Sequence, residues 1–185
     1  MNLTIQLVCD KFRHGFHYLQ RRARAVESRP QLPQQLDREQ IEEILPHRAP
    51  MLLVDKVVYW GELDAENFEL VAELFVTNLH CAGHFPDKEI FPGFHTAEAL
   101  AQAAGLLYAL KYNSIGSNQI GVLVSVRGLK WRRMVLPGQT LVLKVRIEKI
   151  RGQIVVFNGV ALVDNQVATN LEEGMFSLID TEKVR

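Results

Sequence analysis

The sequence predicts an α+β fold in which one antiparallel sheet surrounds one buried helix. Three observations predict it. Apart from Glu98 and Gln102, Ala97–Leu110 is entirely Ala, Leu, Gly and Tyr, a composition that suits a helix apolar on every side. Phe68, Leu70, Ala72, Leu74 and Val76 alternate with Glu69, Val71, Glu73 and Phe75, the period-two pattern of a strand with one buried face. The apolar segments after the helix are separated by turns too short for a crossover, so their strands run antiparallel.

In chain order, Leu3, Leu7, Val8, Phe12, Phe16 and Leu19 recur at three- and four-residue steps, which predicts an amphipathic basic helix within residues 3–24. Such a helix could dock on the main domain, address an organelle or bind a partner. It is no secretory signal, because Asp10, Lys11 and Arg13 interrupt the apolar stretch. Residues 29–36 form a Pro/Gln connector, so 1–36 is predicted as an N-terminal extension and 37–185 as the domain. Asp37 and Gln40 have capping-box spacing and open a short helix that Pro46 stops.

Met51–Trp60 is an apolar run predicted as a strand, and Phe68–Val76 is its neighbour. Gly83–Gly93 is a loop punctuated by Pro86 and Pro92, with Thr96 the predicted N-cap of the long helix. A polar turn at 113–118 leads to strands over 119–126, 140–150, 154–163 and 166–179. Arg151-Gly152-Gln153 and Asp164-Asn165 are predicted hairpin turns.

The 185 residues are 48% hydrophobic with zero formal charge, enough for one sizeable core. Residues 1–36 hold six basic residues against two acidic ones, but they are not set in a recognised reading motif, which argues against nucleic-acid binding. Cys9 and Cys81 lack metal-ligand spacing and suit a reducing compartment such as the cytoplasm. No apolar run reaches membrane-spanning length.

Glu98 is the most informative residue. A carboxylate on a buried helix is costly unless neutralised, paired or used. The plainer reading places it in the first helical turn, favoured by the macrodipole. Gln102 and Gly105 follow Glu98 on one helical stripe.

LPHRAPMLLVDKVV, GHFPDKEIFPG, EALAQAAG, WRRMVLPGQ and GVALVD together resemble FabZ-type (3R)-hydroxyacyl-acyl carrier protein dehydratases, in order from Ile41 to Ile179. The resemblance implies a hotdog fold and a homodimer with sites at its interface, in many members a trimer of dimers. It assigns His84 as the catalytic histidine and Glu98 as the catalytic acid, the two facing each other across subunits. Gly93 matches the glycine whose amide receives the thioester carbonyl. Phe94 and His95 fall at tunnel-lining positions, although His95 could instead face away and be structural. Arg127, Lys130, Arg132 and Arg133, around Trp131, match the basic rim that meets acyl carrier protein. Glu rather than Asp at position 98 favours the FabZ-type over the isomerising FabA-type branch.

Those residue types suit the reaction. Dehydration of a β-hydroxyacyl thioester needs a base for the α-proton, an acid for the leaving hydroxyl and stabilisation of the enolate-like oxygen. Imidazole, with a pKa near ~6.5, exchanges protons at neutral pH. Glu98 could keep its proton for the leaving hydroxyl if desolvation raises its pKa. The Gly93 N–H supplies a fixed dipole. Gln102 could orient the carboxyl group or bond neighbouring backbone, and His47 is read as a local hydrogen-bonding device. No cofactor or metal is expected. Met134, Arg127, the Asp87-Lys88-Glu89 run and Ile120–Val124, where a gating tyrosine is absent, depart from the family pattern. These departures would also fit a specialised relative in a polyketide-like pathway. The rival readings are a hotdog thioesterase and a non-catalytic carrier-binding subunit.

Overall fold

The computed structural model describes residues 35–62 and 67–183, so the expected helix within residues 3–24 lies outside the described residues. Helix α1 (Arg38–Ile44) is capped as its sequence predicts. Asp37 Oδ1 accepts the Gln40 N–H and Gln40 Oε1 accepts the Asp37 N–H, each at 3.0 Å. Leu36, at the end of the predicted connector, already exchanges backbone hydrogen bonds with Val57.

Strands β1 (Lys56–Glu62) and β2 (Phe68–Phe75) lead to a short helix α2 (Asn78–Cys81) and the 20-residue helix α3 (Gly93–Tyr112). Then follow β3 (Gln119–Arg127), β4 (Lys130–Trp131), β5 (Thr140–Arg151), β6 (Ile154–Val163) and β7 (Gln166–Asp180). Six strands form the order β1-β2-β5-β6-β7-β3, every neighbour antiparallel, and β4 adds to β7. This is the predicted hotdog arrangement, with α3 against the sheet.

The predicted strand alternation becomes core. Leu70, Ala72 and Leu74 of β2 and Leu141, Leu143 and Val145 of β5 are buried under α3, as are Leu100, Ala103, Leu106 and Leu107 on the helix. Each fully buried Leu contributes about 1.5–3 kcal/mol relative to exposure. Close approach is possible because Gly159 lacks a side chain. A Cβ there would lie 3.0 Å from the Lys144 carbonyl oxygen and 3.1 Å from Leu100 Cδ2. The two hairpins match their sequences, with φ of +59° at Gly152 and 51° and 60° at Asp164 and Asn165.

Four expectations are corrected. The strand predicted over Met51–Trp60 begins only at Lys56, because the amides of Met51 and Leu52 donate to Arg48 O and that of Leu53 to Gln102 Oε1. Thr96 is not the N-cap: Pro92 is, Gly93 is the first helical residue, and Thr96 lies buried inside the helix. Glu98 therefore stands in the second turn, beyond the reach of a first-turn dipole effect. Helix α3 is not buried all round. Glu98, Ala101, Gly105, Tyr108 and Tyr112 form a partly accessible stripe at three- and four-residue steps. Among the described residues, no helix is long and apolar enough to cross a membrane.

Candidate active site

His84 is held by the backbone around it. Its N–H donates to Cys81 O at 2.9 Å, and the Ile90 N–H donates back to His84 O at 2.8 Å. The imidazole stacks on Phe85 at 4.2 Å between centroids. Its Nδ1 lies 3.0 Å from Ile90 O, a partner that can only accept, so Nδ1 carries the hydrogen. Nε2 is then left with a lone pair, the form required of a base.

His84 lines a cavity of about 840 Å³ together with Gly93, Phe94, Trp131, Arg132 and Arg133. At the first position of α3, the Gly93 N–H has no acceptor among the described residues. A Cβ on Gly93 would lie 2.6 Å from Trp131 Nε1, so glycine is what lets the indole cover this turn. Phe94 packs edge-on against Trp131 at 5.3 Å between centroids and is otherwise exposed.

Glu98 lines a different cavity of about 380 Å³, bounded by Leu45, Pro46, His47, Gln102, Gly105, Ile120–Leu123 and Phe176. Gln102 makes contacts of both kinds considered for it. Its Nε2 donates to Glu98 Oε1 at 2.9 Å and to Met51 O at 2.8 Å, and its Oε1 accepts the Leu53 N–H at 2.8 Å. His47 is more than a local device, since its Nε2 lies 3.4 Å from Glu98 Oε1. In the sequence His47 is only a histidine in a turn; its contact with Glu98 is tertiary.

The His47 imidazole beside Glu98, helped by Gln102 and by the nearby His95, holds the carboxyl group below its ordinary pKa against the opposing effect of burial. That reverses the direction expected from desolvation. His95 does not line the cavity that holds His84; it packs edge-on against Phe91 at 5.6 Å, and its Nδ1 is buried without a hydrogen-bond partner.

The four basic residues separate into two pairs. Arg127 bonds Glu173 at 3.1 Å and Lys130 bonds Glu172 at 2.8 Å, both away from the cavity. Arg132 and Arg133 line the cavity itself, with Arg133 Nη1 donating to Gln166 Oε1. Cys81 is a free, buried thiol, and Cys9 lies outside the described residues. Among the described residues no three His, Cys, Asp or Glu side chains converge as metal ligands.

The model of the FabA-like domain matches residues 45–172, which holds both cavities' principal residues. The chain belongs to the FabA-like domain family. Among relatives of this FabA-like chain, the 3-hydroxyacyl-[acyl-carrier-protein] dehydratase FabZ of Aliivibrio fischeri is 40% identical over 133 residues, 72% of this chain and 87% of that one. The same enzyme of Paracidovorax citrulli is 39% identical over 139 residues, 74% and 93% of the two chains. Similar solved structures include the dehydratase heterocomplex ApeI:P from Xenorhabdus doucetiae, with TM-score 0.61 and 18% identity over 78% of this chain and 93% of that one. The fluoroacetyl-CoA thioesterase FlK has TM-score 0.54 at 14% identity, covering 67% and 93%. At such identities the FabA-like chain shares the fold with both, and the fold alone does not separate their chemistries.

Proposed function

We propose that the protein dehydrates (3R)-hydroxyacyl thioesters carried on acyl carrier protein to trans-2-enoyl thioesters, in fatty acid biosynthesis or a related pathway. The observation that carries this is the pairing of a free imidazole nitrogen with the unpartnered Gly93 N–H in one cavity. The relatives named above, which carry the dehydratase name, support it.

His84 Nε2 takes the α-proton, and the Gly93 N–H receives the thioester oxygen as negative charge grows there. The α-carbon's electron pair forms the double bond, the β-carbon–oxygen bond breaks, and Glu98 supplies the proton with which the hydroxyl leaves as water. The proton on His84 then returns to Glu98 through solvent. Glu98 is held as a carboxylate in the single chain, so its acid role requires further loss of water around it when a partner copy and the acyl chain fill the cavity.

Two copies of the chain build each site, His84 and Gly93 from one and Glu98 from the other. Support comes from the separate cavities within one chain and from the edge strand β3, which borders the Glu98 cavity and exposes Val122 and Val124. Higher assembly as a trimer of dimers belongs to the same reading. Arg132 and Arg133 receive the acidic carrier protein at the cavity that the thioester enters.

One observation favours a second reading. A carboxylate at Glu98 is the form a thioesterase would use to activate water. Incubating the protein with 3-hydroxybutyryl-acyl carrier protein separates the two: conjugated-enoyl absorbance supports dehydration, and free acid without enoyl product supports hydrolysis.

A further inference from the structure

We propose that His47 is a positioning residue for Glu98: its Nε2 holds Oε1 of the carboxyl group and leaves Oε2 as the oxygen that exchanges a proton with substrate. The inference rests on the dehydratase reading of the site and deepens it.

The geometry around the carboxyl group is asymmetric. Two donors converge on Oε1, Gln102 Nε2 at 2.9 Å and His47 Nε2 at 3.4 Å. Oε2 has no hydrogen-bond or ion-pair partner among the described residues, and it is not a buried atom left unsatisfied. A proton on Oε1 would face the Gln102 amide and the imidazole N–H, both of them donors. A proton on Oε2 meets no such conflict, so the two donors select which oxygen carries it.

The His47 ring is built to present one nitrogen. Its Nδ1 is buried without a hydrogen-bond partner among the described residues, whereas Nε2 faces the carboxylate. The tautomer with hydrogen on Nε2 matches this arrangement, since Nδ1 then keeps only a lone pair and strands no N–H.

The loop that carries His47 is tied at both ends. Arg48 Nη1 donates to Leu45 O at 2.9 Å and to His47 O at 2.7 Å, and Nη2 donates to Glu42 O at 2.9 Å, joining the loop to the end of α1. Gln102 fixes the far end through Met51 and Leu53, and thus binds both the carboxyl group and the loop that presents the imidazole. The 3.4 Å separation makes this an ion-pair contact, longer than an ordinary N–H···O hydrogen bond.

The groups facing Glu98 are few. His47 comes from the loop, and Gln102 and His95 from α3 itself. The remaining cavity walls, Leu45, Pro46, Ile120–Leu123 and Phe176, bear no charge. Removing the imidazole therefore acts on one dominant neighbour.

The test compares His47→Asn, too short to reach Oε1, with His47→Gln, which keeps an N–H donor at longer reach, using the full chain throughout. Carbon-13 NMR of glutamate-labelled protein, with Glu98→Gln to assign the signal, follows the Glu98 carboxyl titration directly. Dehydration of 3-hydroxybutyryl-acyl carrier protein across pH follows catalysis. In His47→Asn the Glu98 midpoint moves upward and kcat falls by about tenfold, with KM changed by less than about threefold, the pattern of lost positioning rather than lost binding. His47→Gln recovers most of both. An unmoved Glu98 midpoint in His47→Asn, or equal losses in the two variants, overturns the proposal. A parent protein that forms no enoyl product overturns the dehydratase reading instead, and the carboxyl titration still decides whether His47 holds Glu98.

Discussion

Gln102, only 2% exposed, accepts the Leu53 N–H at 2.8 Å and donates to Glu98 Oε1 at 2.9 Å. One amide thus replaces a missing sheet partner for the chain before β1 and fixes the carboxyl group one helical turn away. Gln102→Leu keeps the volume but strands the Leu53 N–H and the Met51 carbonyl. Urea unfolding should show a loss on the order of 3 kcal/mol, the range expected when buried polar groups lose their partner. A loss within experimental error would mean the amide is dispensable to the fold.

Gly93→Ala should separate site from stability. The new Cβ displaces the exposed, movable indole of Trp131 rather than buried backbone, so unfolding should change by less than about 1 kcal/mol. Dehydration should fall by about 10²-fold as the amide and its cover move. Tryptophan fluorescence, read against Trp131→Phe to isolate this indole from Trp60, reports the displacement.

The basic residues divide by their partners. Arg127 and Lys130 spend their charge on Glu173 and Glu172, whereas Arg132 and Arg133 face the cavity. Arg132→Glu with Arg133→Glu should raise KM for a carrier-protein thioester by about tenfold or more, and weaken its salt dependence, while a free pantetheine thioester is used as before. Arg127→Gln and Lys130→Gln should change KM by less than about twofold. Equal effects from both pairs would contradict the division.

His80 gives the fold a pH dependence of its own. Its Nδ1 accepts the Thr77 N–H at 3.1 Å, and burial lowers its pKa, with Asp55 opposing and Arg38 and His95 reinforcing. The unfolded chain then binds the proton more readily than the folded one. Stability from this group is complete above the unfolded value near ~6.5 and declines as pH falls below it. His80→Asn should flatten that part of the profile when urea midpoints are measured at descending pH; an unchanged slope would assign it to another group.

Much of the fold was legible because its determinants are local. Alternation marked β2, Asp164-Asn165 and Gly152 set the hairpins, and Asp37 with Gln40 capped α1. Helix α2, of four residues, and strand β4, of two, are too short to show a period. Leu52–Val54 read as strand because they are apolar, but the Leu52 N–H donates to Arg48 O and the Leu53 N–H to a glutamine 49 residues away. His84, Glu98 and Gly93 stood out through motif and chemistry. The contact of His47 with Glu98 and the pairing of Arg127 with Glu173 join distant segments, which no spacing encodes.

The central claim is that each site takes His84 from one copy and Glu98 from another. Co-refolding equal amounts of His84→Ala and Glu98→Gln chains tests it most directly, because half of the random dimers then carry one intact site. The mixture should recover about a quarter of the parent dehydration rate, although each variant alone is nearly inactive. A mixture no more active than the separate variants, with exchange of chains verified by mass, would contradict a shared site.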